Sequence, residues 1–156
     1  YPDLISPIRA AVQRTGKPYI IENVPGAPMR NPMYLNGPMF GLRIHRPRWF
    51  ECSFEMPLKL SYTMAPPVKM GRVVKAGDVV QPVGHFSGVE YVQREMGVPW
   101  MVQHEIAQAI PPVFGWYVGG FLMRAVQNAK DCASRGGIHD RSGDYSVQKT
   151  PSGKRA

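Results

Sequence analysis

The stretch "YIIENVPGAP", Tyr19 to Pro28, decides how the chain is read. Its continuous apolar run ends in Glu22-Asn23 and breaks at Pro25-Gly26, the pattern of a short strand covered on both faces, as parallel strands are. Upstream, Ser6 is placed as an N-cap, Pro7 as a first helical residue and Gly16 as a stop, so Pro7 to Thr15 is expected to be helical. Helix followed by buried strand is one repeat of an α/β sheet, and in open α/β sheets ligands lie outside the carboxyl ends of the strands. Glu22 would then be a carboxylate held by a rigid element at a site, and the Pro-Gly turn would carry the backbone away without covering it. A carboxyl group partly desolvated in such a crevice can donate a proton near neutral pH. The plainer alternative is a solvated strand-end glutamate that accepts a hydrogen bond from a neighbouring loop.

Further along, residues 25–42 hold too much Pro and Gly for a helix, and only "MYL" (33–35) and "MFG" (39–41) are candidates for short strands. The segment "RPRWFECSF" (46–54) alternates enough to be a strand, and residues 56–88 mix short β-prone pieces such as "GRVVKAGDVV" (71–80) with loops. Helices are expected over 89–96 and 105–110, and again from Pro111-Pro112 onward, where Phe114, Val118, Phe121, Leu122 and Ala125 share one face. Beyond Asn128 the chain is polar, rich in Gly and Ser, and without an apolar period, which reads as disorder. No internal repeat is visible.

The 156 residues suffice for one domain with a core, and 16 Gly with 16 Pro imply many turns. The net charge of +8 favours a polyanionic partner, with mere solubility as the alternative. Residues 130–156 carry six Lys/Arg against three Asp, so +3 belongs to the tail and +5 to the body. Cys52 and Cys132 form neither a metal-ligand pair nor a disulfide framework, and no signal peptide precedes them, which points to a reducing, cytoplasmic setting. The longest apolar run, Val113 to Met123, is well short of the ~20 residues of a spanning helix, so no membrane association is expected. The chain begins at Tyr1 rather than Met, as a fragment or processed product would.

Four segments, in order, resemble motifs of the DNA cytosine-5 methyltransferases, in the compact style carried by bacteriophages. "IENVPG" resembles the Glu-Asn-Val signature. "FGLRIHRPRWFE" (40–51) resembles the Gln-x-Arg-x-Arg segment, with Arg46 and Arg48 on the arginine positions and Ile44 where glutamine is usual. "QREMGVPWM" (93–101) is similar to the segment that closes the target-recognition region, and "AQAIPPVFGWYVGGFL" (107–122) to the last motif, with Gln108 at its asparagine position.

The resemblance implies an incomplete Rossmann-like α/β sheet, dependent on S-adenosylmethionine, with a short β-rich target-recognition insertion. Residues 1–51 would belong to the catalytic domain, 52–88 to target recognition, 89–128 to returning helices and 129–156 to a disordered basic tail. It implies attack of a cysteine thiolate on carbon 6 of a flipped cytosine and methylation at carbon 5. Glu22 would hold the ring nitrogen 3 and amine edge; Arg46 or Arg48 would neutralise a phosphate or orient the base, the alternatives being solvated charges and, for Arg48, stacking on Trp49. Gln108 would line the cofactor pocket. Double-stranded DNA would be contacted by Arg43, Lys69, Arg72, Lys75, His85 and Arg94, with Lys59 a further phosphate candidate. The family's Gly-rich cofactor loop and Pro-Cys-Gln nucleophile are missing from the chain, so it reads as the C-terminal part of such an enzyme, inactive alone. A DNA-binding remnant without chemistry, or one subunit of a split enzyme whose partner carries the missing N-terminal half, are the alternatives.

Overall fold

The structure, a computed structural model, describes residues 3–56, 61–63 and 65–136. The first helix, α1 (Ile5–Arg14), starts two residues before the expected Pro7. Asp3 explains the shift, because its carboxylate accepts from the backbone N–H of Ile5 at 2.9 Å and of Ser6 at 3.3 Å and so satisfies orphan donors of the first turn. Ser6 is therefore inside the helix, where its hydroxyl donates to Asp3 instead of capping.

Three strands follow: β1 (Ile20–Asn23), β2 (Met33–Leu35) and β3 (Arg48–Cys52). They form one sheet in the order β1-β3-β2, and both pairings are antiparallel, with Glu22 opposite Phe50 and Leu35 opposite Arg48. The expected Rossmann-like parallel sheet is thus replaced by a small antiparallel one packed with helices. An apolar run reports burial on both faces and carries no information on strand direction. Here the burial comes from α1 on one face and a C-terminal helix on the other.

Alternation along β3 separates these faces. Phe50 and Cys52 join Ile20, Met33 and Leu35 against Phe114 and Val118 of α4 (Pro112–Gly136). Rings of Phe40, Phe50, Tyr117 and Phe121 surround this contact at centroid separations of 5.2–6.3 Å. On the other face Glu51 meets Arg9 of α1, and Ile21 of β1 and Ile5 of α1 are buried as well.

Between β2 and β3 the expected "MFG" strand is a 3-10 turn, Gly37–Phe40, closed by Gly41 in the left-handed region at φ 75°. Gly37 is required by contact rather than by its own dihedrals, because a Cβ there would run into the carbonyl oxygen of Ile44. Residues 71–80, read as β-prone, form no strand; their one ladder contact is a parallel bridge between Ile44 and Val80.

A second core gathers Ile44, Val80, Phe86, Val92, Met96, Val98 and Ile106 beneath α2 (Val89–Met96) and α3 (Gln103–Gln108). Helix α3 begins two residues before the expected start and α4 begins at Pro112. α4 then continues to Gly136, so residues 129–136 are helical where disorder was expected from 129 onward. The rest of that tail, residues 137–156, and Lys59 lie outside the described residues. Among the described residues no helix is long and apolar enough to cross a membrane.

Candidate functional site

The antiparallel register brings together two residues that are far apart in the chain. Glu22 faces Phe50, so Arg48, two residues earlier on β3, is its diagonal neighbour on the same face of the sheet, within reach of two long side chains. Arg48 Nε lies 2.8 Å from Glu22 Oε1. The glutamate side chain is 36% exposed while Arg48 is buried, its side chain 10% exposed, so the pair opens to solvent on the glutamate's side. Arg48 Nη1 donates to the Pro47 carbonyl at 2.7 Å. Glu22 Oε2 and Arg48 Nη2 have no hydrogen-bond partner among the described residues. An acceptor and a donor are therefore left side by side on a rigid strand pair.

Arg46 is turned inward and differs from Arg48 in every contact. Its Nε donates to the Ala109 carbonyl at 3.0 Å, Nη1 to Pro82 at 3.0 Å and Nη2 to Ala107 at 2.6 Å. Burial pushes its guanidinium down to about 10, with Arg48 adding repulsion and Glu22 attraction. Arg46 thus ties the start of β3 to the carbonyls on either side of Gln108 and latches the sheet onto the second core.

Gln108 is exposed on the last turn of α3. The carbonyls flanking it are taken by Arg46, so those backbone acceptors are not free to hold an adenosine or a cofactor tail. S-adenosylmethionine does not fit the residues present there. Among the described residues no group of three or more His, Cys, Asp or Glu is arranged to hold a metal.

The cysteines do not join the pair. Cys52 faces Ile20, its thiol lies 3.3 Å from Met56 Sδ, and burial followed by the charge of Glu51 pushes it up to about 11, so it is a thiol near neutral pH. Cys132 is exposed far along α4.

The residues expected to touch DNA are exposed around the second core. Arg72 and Arg94 line one open cleft of about 610 Å³ with Ser87 and Tyr91. Lys69 lines a separate groove of about 430 Å³ with Gln81 and Phe86. Arg43 is exposed while its backbone N–H donates to Glu95 at 2.7 Å, the Lys75 N–H donates to Asp78 at 2.9 Å, and His85 is exposed in the loop before α2.

Two neighbours of the pair escape a reading of the sequence. Glu51 accepts from Arg9 Nε at 2.6 Å and Nη2 at 2.7 Å and from the Arg30 backbone N–H at 2.7 Å, while Arg9 also donates to the Pro28 carbonyl at 2.8 Å. This clamp holds α1 and the loop after Glu22 to β3, and the guanidinium keeps the Glu51 carboxyl below its ordinary value of 4.5. An acid inside the apolar run of β3 was its signal, since an unpaired charge is not buried. The second is Asn36, fully buried, whose Asn-Gly context reads only as a turn.

Comparison with protein families, with curated proteins and with solved structures found no match for the chain.

Proposed function

We propose that the chain recognises an unstacked cytosine, as the C-terminal part of a DNA cytosine-5 methyltransferase, with Glu22 and Arg48 reading the base edge. The observation that carries the reading is the Glu22–Arg48 ion pair with an open acceptor and an open donor beside it. Cytosine presents an amine donor at carbon 4 next to the acceptors nitrogen 3 and oxygen 2, so Glu22 Oε2 would take the amine and Arg48 Nη2 a ring acceptor. Thymine presents a carbonyl oxygen where cytosine has the amine, and a carboxylate repels it. The antiparallel sheet does not carry the fold that the motifs suggested, so the reading rests on those residues and on the basic surface of Lys69, Arg72 and Arg94 as a DNA-contacting face.

The reaction itself would need a thiolate beside the pair, and the described cysteines do not supply one: burial keeps Cys52 a thiol, and Cys132 is far along α4. That observation favours a second reading, in which the chain binds DNA without chemistry or completes a separate half that carries the nucleophile.

The test is binding of the chain to two duplexes that differ in one extrahelical base. A bulged cytosine should bind roughly tenfold or more tightly than a bulged thymine, the ~1–3 kcal/mol of a two-point base contact. Equal affinity for the two duplexes would remove the reading.

A further inference from the structure

The β2–β3 ladder ends where the chain enters the 3-10 turn. Leu35 is opposite Arg48, so the same register would set Gly37 across from Arg46, but Gly37 opens the 3-10 turn and its carbonyl accepts from the Leu42 N–H at 3.1 Å instead. The backbone N–H of Arg46 is left to find an acceptor in a buried place. Asn36 supplies it from its side chain, with Oδ1 accepting from Arg46 N at 2.8 Å and from Gly37 N at 2.9 Å. Because Oδ1 is fixed by two N–H donors, Nδ2 must be the donating end of the amide, and it lies 3.0 Å from His45 Nδ1, 3.1 Å from the Tyr34 hydroxyl and 3.3 Å from the Tyr62 hydroxyl. One buried amide therefore grips residues 45 and 46 directly before the Pro47-Arg48 step.

We propose that Asn36 is the positioning residue of the base-reading pair: its side chain stands in for the rung between Gly37 and Arg46 and thereby aims Arg48 at Glu22. The inference rests on the proposed reading of that pair for its functional meaning, while its geometry stands separately. Without the amide oxygen, the segment 44–47 is held by Arg46's side chain and by the Ile44–Val80 bridge, both of which face the second core. The Arg46 N–H then loses its acceptor, the chain entering β3 loosens, and Arg48, whose backbone is the last rung of the ladder opposite Leu35, no longer keeps its side chain on Glu22.

The experiment reads the arginine Nε–H resonances by NMR in the full chain, assigned through Arg9→Lys and Arg48→Lys. In the wild type the Arg48 and Arg9 signals should both be shifted and slow to exchange, because each Nε lies against a carboxylate oxygen. Asn36→Ala should speed exchange at Arg48 roughly tenfold or more and leave Arg9 unchanged, as a local opening would. Asn36→Asp, which keeps an oxygen for both backbone donors, should restore the Arg48 signal. If Asn36→Ala does not fold, Asn36→Ser, whose shorter hydroxyl cannot span both donors, carries the same comparison. Arg48 unmoved in the Ala or Ser variant, or Arg48 and Arg9 loosened together, would overturn the proposal by showing no role or only a general loss of stability. A wild type that ignores the bulged cytosine while Asn36→Ala still frees Arg48 would instead remove the base-reading function and leave the positioning intact.

Discussion

The two faces of the sheet carry the same kind of charge pair and use it differently. On the α1 face Glu51 is bound by both nitrogens of the Arg9 fork and by a backbone N–H, with both side chains about 5% exposed or less. On the α4 face Glu22 meets Arg48 through one nitrogen, remains 36% exposed and keeps an oxygen without a partner among the described residues. A pair whose hydrogen-bonding capacity is used up completes the fold. A pair with capacity left over, on equally rigid strands, is available to something else. The difference comes from position: Glu51 is in mid-strand under a helix, and Glu22 is near a strand end beside a turn that leaves it open.

The contrast between the faces is erased most completely through a residue that carries no charge. Phe114 of α4 is fully buried against the sheet, and Phe114→Ala should cost about 3–5 kcal/mol by denaturant unfolding, enough to loosen both faces at once. A loss below about 1 kcal/mol would mean that α4 is not what covers this face. Next in size is Glu51→Gln, which leaves a buried guanidinium without its counter-charge. Its denaturation midpoint should fall clearly, while preference for a bulged cytosine persists in the folded fraction; a variant as stable as wild type would make the clamp ornamental.

Acid titration separates the two faces again. Burial holds His45 below its ordinary value of 6.5, and Asn36 Nδ2 donating to its Nδ1 requires the neutral ring. The unfolded chain therefore takes up this proton first, so stability is complete above pH 6.5 and declines as pH falls through the folded value. His45→Gln should flatten that part of the curve. Glu51 acts at lower pH by the same sign: its contribution is complete above 4.5 and is lost as pH falls through its depressed folded value. A stability curve flat from about pH 7 to 5 would contradict the assignment of a neutral, amide-bound His45.

Smaller still is the effect at the basic cleft. Replacing Arg72 and Arg94 together by alanine should weaken DNA binding to all sequences alike and reduce the slope of log affinity against log salt by about one for each phosphate no longer neutralised. An unchanged slope would move the DNA-contacting face elsewhere. The smallest effect is on the stability of Glu22→Gln, which should stay within about 1 kcal/mol of wild type, as expected for a partly exposed ion pair.

The local elements were legible where short-range rules act alone. Gly16, the Pro111-Pro112 step and the apolar face of Phe114, Val118 and Phe121 mark helix limits and a buried face that the structure reproduces at α1 and α4. Strand direction was not legible, because Tyr19 to Val24 has the same apolar pattern whether its neighbour runs up or down. The pairing of Glu22 with Arg48 follows from the antiparallel register, a long-range fact that no local pattern encodes. Arg46 and Arg48 look alike in "RPR" and are separated by Pro47, which sends one inward to three carbonyls and the other along β3. Asn36 was hidden because Asn-Gly is an ordinary turn sequence, and only the missing rung between Gly37 and Arg46 gives its side chain a task.

Whether the open carboxylate on the α4 face reads a base is decided by the ratio of dissociation constants for the bulged-thymine and bulged-cytosine duplexes, measured for wild type and Glu22→Gln under one salt condition. The expected result is a wild-type ratio of roughly ten or more that collapses toward one in Glu22→Gln, with thymine affinity and the thermal midpoint little changed. A ratio that survives in Glu22→Gln would show that Glu22 does not read the base.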